Sequence, residues 1–146
     1  MDADIAELRE RYIGVQFDET TTTVSAEEIV TFAETTGESA PRYTDPTHPD
    51  FQAPPTWPST RSARRQLPED FPRFGLGMDA GKTVEPLAPI LPGIELTCQT
   101  HIHDIYTKTG RSGRMVFVVV RTEFRDTEGN LLANSDTSIV QREKPA

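Results

Sequence analysis

Apolar and polar residues alternate with a period of two through the last third of the chain. In Ile94–Thr107, Leu96, Cys98, Thr100 and Ile102 fall on one face. Glu95, Thr97, Gln99, His101 and His103 fall on the other, the pattern of a strand with one buried face. Lys108–Gly113 (KTGRSG) is a predicted hairpin loop. Met115–Phe124 is almost continuously apolar, which predicts a strand buried on both faces over part of its length. Asp126–Asn130 (DTEGN) is a second predicted turn, and Leu131–Gln141 the strand after it. Thr83–Pro86 reads as a short edge strand.

Nearer the N-terminus the spacing becomes helical. Ala26, Ile29, Val30 and Ala33 form one stripe, with Phe32 beside it. Ser25 and Glu28 make a capping box, in which the serine oxygen takes one orphan amide and the glutamate reaches back to another. Gly37 supplies a left-handed residue to end the helix, so the prediction is a helix over Ala26–Thr36. Ile5 and Leu8, within the mixed charges of Met1–Arg11, predict one or two helical turns on the surface. Tyr12–Phe17 reads as a short strand or entry segment, and Thr20–Thr23 as extended chain. Pro41–Pro72 holds eight of the 12 prolines, which excludes long regular elements there. One short helix fits at Ser59–Gln66, and the rest is expected to be a functional or covering loop. Lys144–Ala146 reads as a tail. The sum is an α+β domain, one early helix packed on a mainly antiparallel sheet.

Composition narrows the function classes. A length of 146 residues suits one domain, 1–146. The net charge of -8 argues against nucleic acid as a partner, because phosphate neutralisation needs a basic face. No apolar run approaches the roughly 20 residues of a membrane span, the longest being Met115–Val120. Met1–Arg11 lacks the apolar stretch of a signal peptide, and the single Cys98 precludes an internal disulfide. Both fit the expectation of a protein of the reducing cytoplasm.

Several pieces of the chain, in order, resemble one family. They are Tyr12-Ile13-Gly14, Val24-Ser25 with the helix ending Phe32-Ala33, and TGESAPRYTDP from Thr36 to Pro46. Ala53-Pro54-Pro55-Thr56, then Pro86 to Gly93, then Asp104–Gly110 running on to Ser112-Gly113 complete the series. Over about residues 11–142 the chain resembles the MaoC-like hot-dog dehydratases, in their N-terminal, FAS1-like dehydratase branch. The resemblance implies a hot-dog fold, an antiparallel sheet wrapped around a central helix. It also implies pairing of two such domains and work on acyl chains held as thioesters of coenzyme A or of an acyl-carrier protein. The implied reaction is reversible addition of water to a trans-2-enoyl thioester, giving an (R)-3-hydroxyacyl thioester. No cofactor or metal is implied.

Active members of that family carry a motif similar to G-D-x-N-P-x-H, whose aspartate and histidine hold a water and shuttle its proton. In this chain the motif falls on Gly37-Glu38-Ser39-Ala40-Pro41-Arg42-Tyr43. Glu38 stands at the aspartate position, Ala40 at the asparagine and Tyr43 at the histidine. A phenol with an ordinary pKa of about 10 is a poor base at neutral pH. Losing such acid–base catalysis typically costs roughly 10²–10⁴ in rate. His48, in Pro46-Thr47-His48-Pro49, is an alternative base, although a loop histidine is the plainer reading. His101 and His103 with Asp104 form an incomplete metal set, and Cys98 reads as a small buried hydrophobe.

Two basic clusters stand out. Arg61, Arg64 and Arg65 lie on the possible short helix, and Lys108, Arg111 and Arg114 surround the hairpin. Either suits coenzyme A phosphates or an acidic carrier, the hairpin more so because the resemblance places a recurring Lys-x-Gly there. The expected function is a non-catalytic subunit that shapes the acyl tunnel of a hydratase or dehydratase and pairs with a catalytic hot-dog chain. The alternatives are a self-sufficient enoyl-CoA hydratase using Glu38 with Tyr43 or His48, and an acyl-thioester binding module without turnover.

Overall fold

The computed structural model describes residues 3–61 and 63–143, so the expected tail Lys144–Ala146 lies outside the described residues. The chain runs α1 (Ala3–Tyr12), β1 (Gln16–Thr23), α2 (Ala26–Thr35), α3 (Pro41–Thr44), a 3₁₀ turn at Trp57–Thr60, then β2 (Gly75–Pro86), β3 (Glu95–Gly110), β4 (Gly113–Arg125) and β5 (Leu131–Glu143). The strands make one antiparallel sheet in the order β1-β3-β4-β5-β2. Helix α2 packs on its inner face, the α+β arrangement of a sheet around a helix.

The period of two sorts the side chains. Leu96, Cys98, Thr100, Ile102 and Ile105 of β3 are buried, as are Val116, Val118, Val120, Thr122 and Phe124 of β4. The register puts Cys98 opposite Phe124, Thr100 opposite Thr122 and Ile102 opposite Val120. His103 is the extra residue where the register shifts between Ile102 and Asp104, which returns Ile105 to the inner face. The expectation that Met115–Phe124 is buried on both faces is corrected. Met115, Phe117 and Val119 are only half-buried, because both helices and the proline-rich segment cover the inner face alone. On the outer face Tyr106 stacks on Phe117 at 5.0 Å, and the Lys108 ammonium lies 5.4 Å from the Phe117 ring.

Two apolar clusters fill the inner face. One joins α2, through Ile29 and Phe32, and Val24 just before it, to Phe51, Trp57, Leu96, Cys98, Phe124 and Ala133. The other joins α1, through Ile5, Leu8 and Tyr12, to Phe71, Ile102, Ile105, Val116, Val118 and Ile139. Helix α1 is therefore core, which corrects the expectation of surface turns: its Ile5 is 0% exposed. Arg9 reinforces it by donating to Asp104 Oδ1 and to the Ile105 carbonyl at the bulge. Tyr12 closes α1 and Gln16 opens β1, one turn later than a strand from Tyr12.

Other boundaries shift for identifiable reasons. Ser25 caps α2, its Oγ accepting from Glu28 N–H at 3.0 Å, but the Glu28 carboxylate turns to Arg61 (2.6 Å) instead of reaching back. Strand β2 begins at Gly75, eight residues before the expected Thr83, because Gly75, Gly77 and Gly81 erase the side-chain period. At Gly75 (φ +154) a Cβ would stand 2.1 Å from the Arg142 carbonyl oxygen, so only glycine fits the pairing with β5. The helix expected at Ser59–Gln66 is a 3₁₀ turn at Trp57–Thr60 followed by irregular chain. Asp18 causes the difference. Its Oδ2 accepts the Arg64 backbone N–H at 2.8 Å, a donor that a helix would keep for itself, while Oδ1 accepts from the guanidinium.

Two predictions follow from this packing. Trp57 is 2% exposed, with its ring 6.3 Å from Phe124 and the Arg61 guanidinium 4.9 Å from its centroid. Trp57→Ala should cost about 3–5 kcal/mol, read as a lowered urea midpoint with an unchanged slope. Burial raises the Asp18 carboxyl, but the Arg64 side-chain and backbone hydrogen bonds and its charge outweigh that, and the acid lies below its ordinary value. A carboxylate depressed in the folded state contributes stability above its unfolded pKa of about 3.9 and loses it as pH falls further. Asp18→Asn should therefore be less stable than the natural chain at pH 7, and the two should converge below about pH 4. A gap that stays constant with pH would contradict this role.

Candidate functional site

Helix α2 ends in a Schellman motif that sets up the segment behind it. Gly37, at φ +77, donates to the Glu34 carbonyl (3.2 Å), and Glu38 N–H donates to the Ala33 carbonyl (2.8 Å). The Glu38 carboxylate then folds back on its own loop, where Oε1 accepts from Ser39 N–H and Ala40 N–H, both at 3.2 Å. Pro41 opens the short helix α3, whose fixed φ suits a first helical position. That turn buries Tyr43, 6% exposed, with the Arg42 guanidinium 4.9 Å from its ring centroid. His48 is held by its neighbours: Nδ1 accepts from Asp50 N–H at 3.1 Å, and its own N–H donates to the Asp45 carbonyl at 3.0 Å. The segment is thus held mainly by local bonds, and among the described residues no imidazole pairs with Glu38 or Tyr43.

A separate cavity of about 860 Å³ opens on the inner face, under Arg61 and residues 63–73. Its floor is Val120 and Thr122 of β4 with Ser135, Thr137, Ile139 and Gln141 of β5. Leu67, Phe71 and Met78 add apolar wall, and Arg61, Arg65, Arg73 and Lys82 bring positive charge to its edge, with Glu69 and Asp79 among them. The volume falls in the ordinary range of small-molecule sites. Thr122 and Thr100 share a buried hydroxyl–hydroxyl hydrogen bond of 2.9 Å, and Gln141 Oε1 accepts from Phe74 N–H at 2.7 Å, which fixes the cavity's far end. Neither Glu38 nor Tyr43 lines this cavity.

The two basic clusters divide differently from their sequence grouping. Arg61 and Arg65 line the cavity, whereas Arg64 turns to Asp18 and makes no part of it. Arg61 is engaged by Glu28 and Arg65 by Glu69. None of Lys108, Arg111 and Arg114 lines the cavity. Lys108 covers Tyr106 and Phe117, Arg111 is exposed in the β3–β4 turn, and Arg114 bridges Asp4 and Glu143. The imidazoles of His101 and His103 are 5.7 Å apart on the outer side, and burial pushes the His101 pKa below its ordinary value. Among the described residues no three His, Cys, Asp or Glu side chains stand together as a metal set. Cys98 is buried opposite Phe124, and burial pushes its thiol up, away from nucleophilic character.

Sequence reasoning missed Arg73, Lys82, Thr122, Ser135, Thr137 and Gln141 as cavity residues. A signal for the last three was present. Ala133, Ser135, Thr137, Ile139 and Gln141 lie on the face of β5 that continues the apolar face of β4, and three polar residues among these five inward positions mark a wet surface.

Residues 11–135 match the family described as FAS1-like, dehydratase domain region. No curated protein matches the chain. Among solved structures it superposes on a MaoC-like dehydratase from Phytophthora capsici with a TM-score of 0.69 at 20% identity, covering 94% of this chain and 50% of that one. The chain therefore spans half the length of that relative. The ChsH1-ChsH2 complex from Mycobacterium tuberculosis gives a TM-score of 0.68 at 17% identity over 97% of this chain and 90% of that one. The R-hydratase PhaJ1 from Pseudomonas aeruginosa gives 0.63 at 18% identity over 96% and 86%. These likenesses establish the hot-dog fold, and the match over residues 11–135 establishes that the chain belongs to the family of FAS1-like dehydratase domain regions.

Proposed function

We propose that this chain is the non-catalytic partner in a two-domain acyl-thioester hydratase or dehydratase, holding the acyl group while a second hot-dog chain supplies the acid–base pair. One observation carries the reading: within this chain the cavity and the Glu38–Tyr43 segment are separate, and the segment's carboxylate is already bonded to Ser39 and Ala40. A hydration site needs a base within hydrogen-bond reach of a water beside the substrate. Here the cavity floor offers only hydroxyls and an amide, and the two carboxylates at its edge are engaged elsewhere, Glu69 by Arg65 and Asp79 by the Gly81 N–H. Two comparisons support the pairing. The Phytophthora capsici dehydratase is twice this unit's length, and the Mycobacterium tuberculosis neighbour is a complex of two named proteins. The substrate class, a 2-enoyl or 3-hydroxyacyl thioester of coenzyme A or a carrier protein, follows from the family and from the R-hydratase neighbour.

Co-expression with a hot-dog chain that keeps the intact G-D-x-N-P-x-H motif tests the proposal. The two should co-purify and hydrate a 2-enoyl-CoA. Substituting the aspartate or histidine of that motif should lower kcat by roughly 10²–10⁴, whereas Glu38→Gln in this chain should change it less than about twofold, its bonds being internal to the loop. Loss of turnover in Glu38→Gln, with the complex intact, would move the catalytic role to this chain.

A further inference from the structure

The cavity's lining is poorly matched to a plain hydrocarbon. Ser135 is 7% exposed and lines the cavity floor, and its hydroxyl has no hydrogen-bond partner among the described residues. Thr137, two residues along the same inner face, is half-buried and likewise has no hydrogen-bond partner among the described residues. A saturated chain laid over them would strip both hydroxyls of water and return nothing, whereas a ligand oxygen would pair with them. The charge at the cavity edge points the same way. Arg61 and Arg65 are neutralised by Glu28 and Glu69. Asp79 spends Oδ1 on Gly81 N–H. Arg73 has no ion pair or hydrogen bond among the described residues, and Lys82 makes one 3.4 Å bond to the Ser59 carbonyl. Arg42, Lys108, Arg111 and Arg142 also lack a carboxylate partner among the described residues, but of these cations only Arg73 and Lys82 line the cavity. They face a cavity whose floor already offers hydroxyl donors.

We infer that the acyl group taken by this cavity carries a carboxylate at or near its far end, received by Arg73 and Lys82, with oxygen functionality met by Ser135 and Thr137. The ligand class is thus the monothioester of a dicarboxylic acid rather than a fatty acyl thioester. The inference rests on the proposed thioester function, since it names the substrate class of that same cavity. Geometry allows both ends to be served: the cationic edge lies across β2 and the roof, and the floor lies on β4 and β5. A guanidinium and a carboxylate pair bidentately with strong preference over the neutral alkyl alternative.

Calorimetric titration of the full chain with succinyl-CoA, butyryl-CoA and free coenzyme A tests this. The three share one nucleotide and differ only at the acyl group. Succinyl-CoA should bind at least about tenfold more tightly than butyryl-CoA, a factor worth about 1.4 kcal/mol. The Arg73→Gln, Lys82→Gln double variant should erase that difference while leaving free coenzyme A unchanged. Both residues are exposed, so the fold should survive. Butyryl-CoA binding as tightly as succinyl-CoA would overturn the inference and leave the thioester function standing. So would equal weakening of all three ligands in the double variant, which would assign the cations to the coenzyme's phosphates. No binding of any of the three would remove the thioester function itself, and the inference with it.

Discussion

One helix is too short for its sheet. Helix α2 has 10 residues, about 15 Å at 1.5 Å per residue, whereas β3 has 16 and runs about 50 Å at 3.3 Å per residue. The inner face of β3, β4 and β5 is therefore more apolar surface than α2 can cover, and the rest must be buried otherwise. The chain solves this twice. Helix α1 takes the Ile102–Ile105 end with Ile5, Leu8 and Tyr12. The proline-rich segment supplies Phe51 and Trp57 on one side and Phe71 on the other. Where neither reaches, around Thr122, Ser135 and Thr137, the face is polar and a cavity remains. The Thr100–Thr122 hydroxyl pair lies between the two apolar clusters, each hydroxyl satisfying the other across β3 and β4.

The same shortage explains why the roof is tied down by charge. Residues 63–73 form no helix of their own, so the position of the roof is set by Asp18 on the Arg64 amide and guanidinium, Glu28 on Arg61, and Tyr12 Oη donating to the Asp70 carbonyl at 2.9 Å. The first of these is the most buried: the Asp18 side chain is 6% exposed, and removing its partner would leave a buried carboxylate alone. The cavity's shape thus depends on β1 and α2 as well as on the strands that form its floor. On the proposed reading this rigid half-site is what the chain contributes, with the proton chemistry left to the partner.

Much of this was legible in the sequence, for physical reasons that can be named. Strands β3, β4 and β5 announce themselves because their side chains carry the period of two, and Ser25 and Gly37 bracket α2 because a cap and a left-handed residue are both chemically specific. Three elements were misread. Strand β2 hides behind glycines, which carry no period. Helix α1 shows only two apolar positions, too few to reveal that it fills the core. The helix at Ser59–Gln66 fails because Asp18, 46 positions away from Arg64, takes its backbone donor, and no local pattern records a bond of that separation. The site divides likewise. The departures at Glu38 and Tyr43 are plain in the motif, but the cavity is assembled from β2, β4, β5 and the roof, and its cations Arg73 and Lys82 stand in no cluster along the chain.

On the proposed function, this chain holds an acyl thioester without turning it over. The direct measurement is the absorbance change of a 2-enoyl-CoA incubated with the purified chain alone at neutral pH. The account predicts a rate indistinguishable from buffer. Turnover in the ordinary enzymatic range of about 1–10³ s⁻¹ would contradict it and would require a base on this chain that the Glu38–Tyr43 segment does not present.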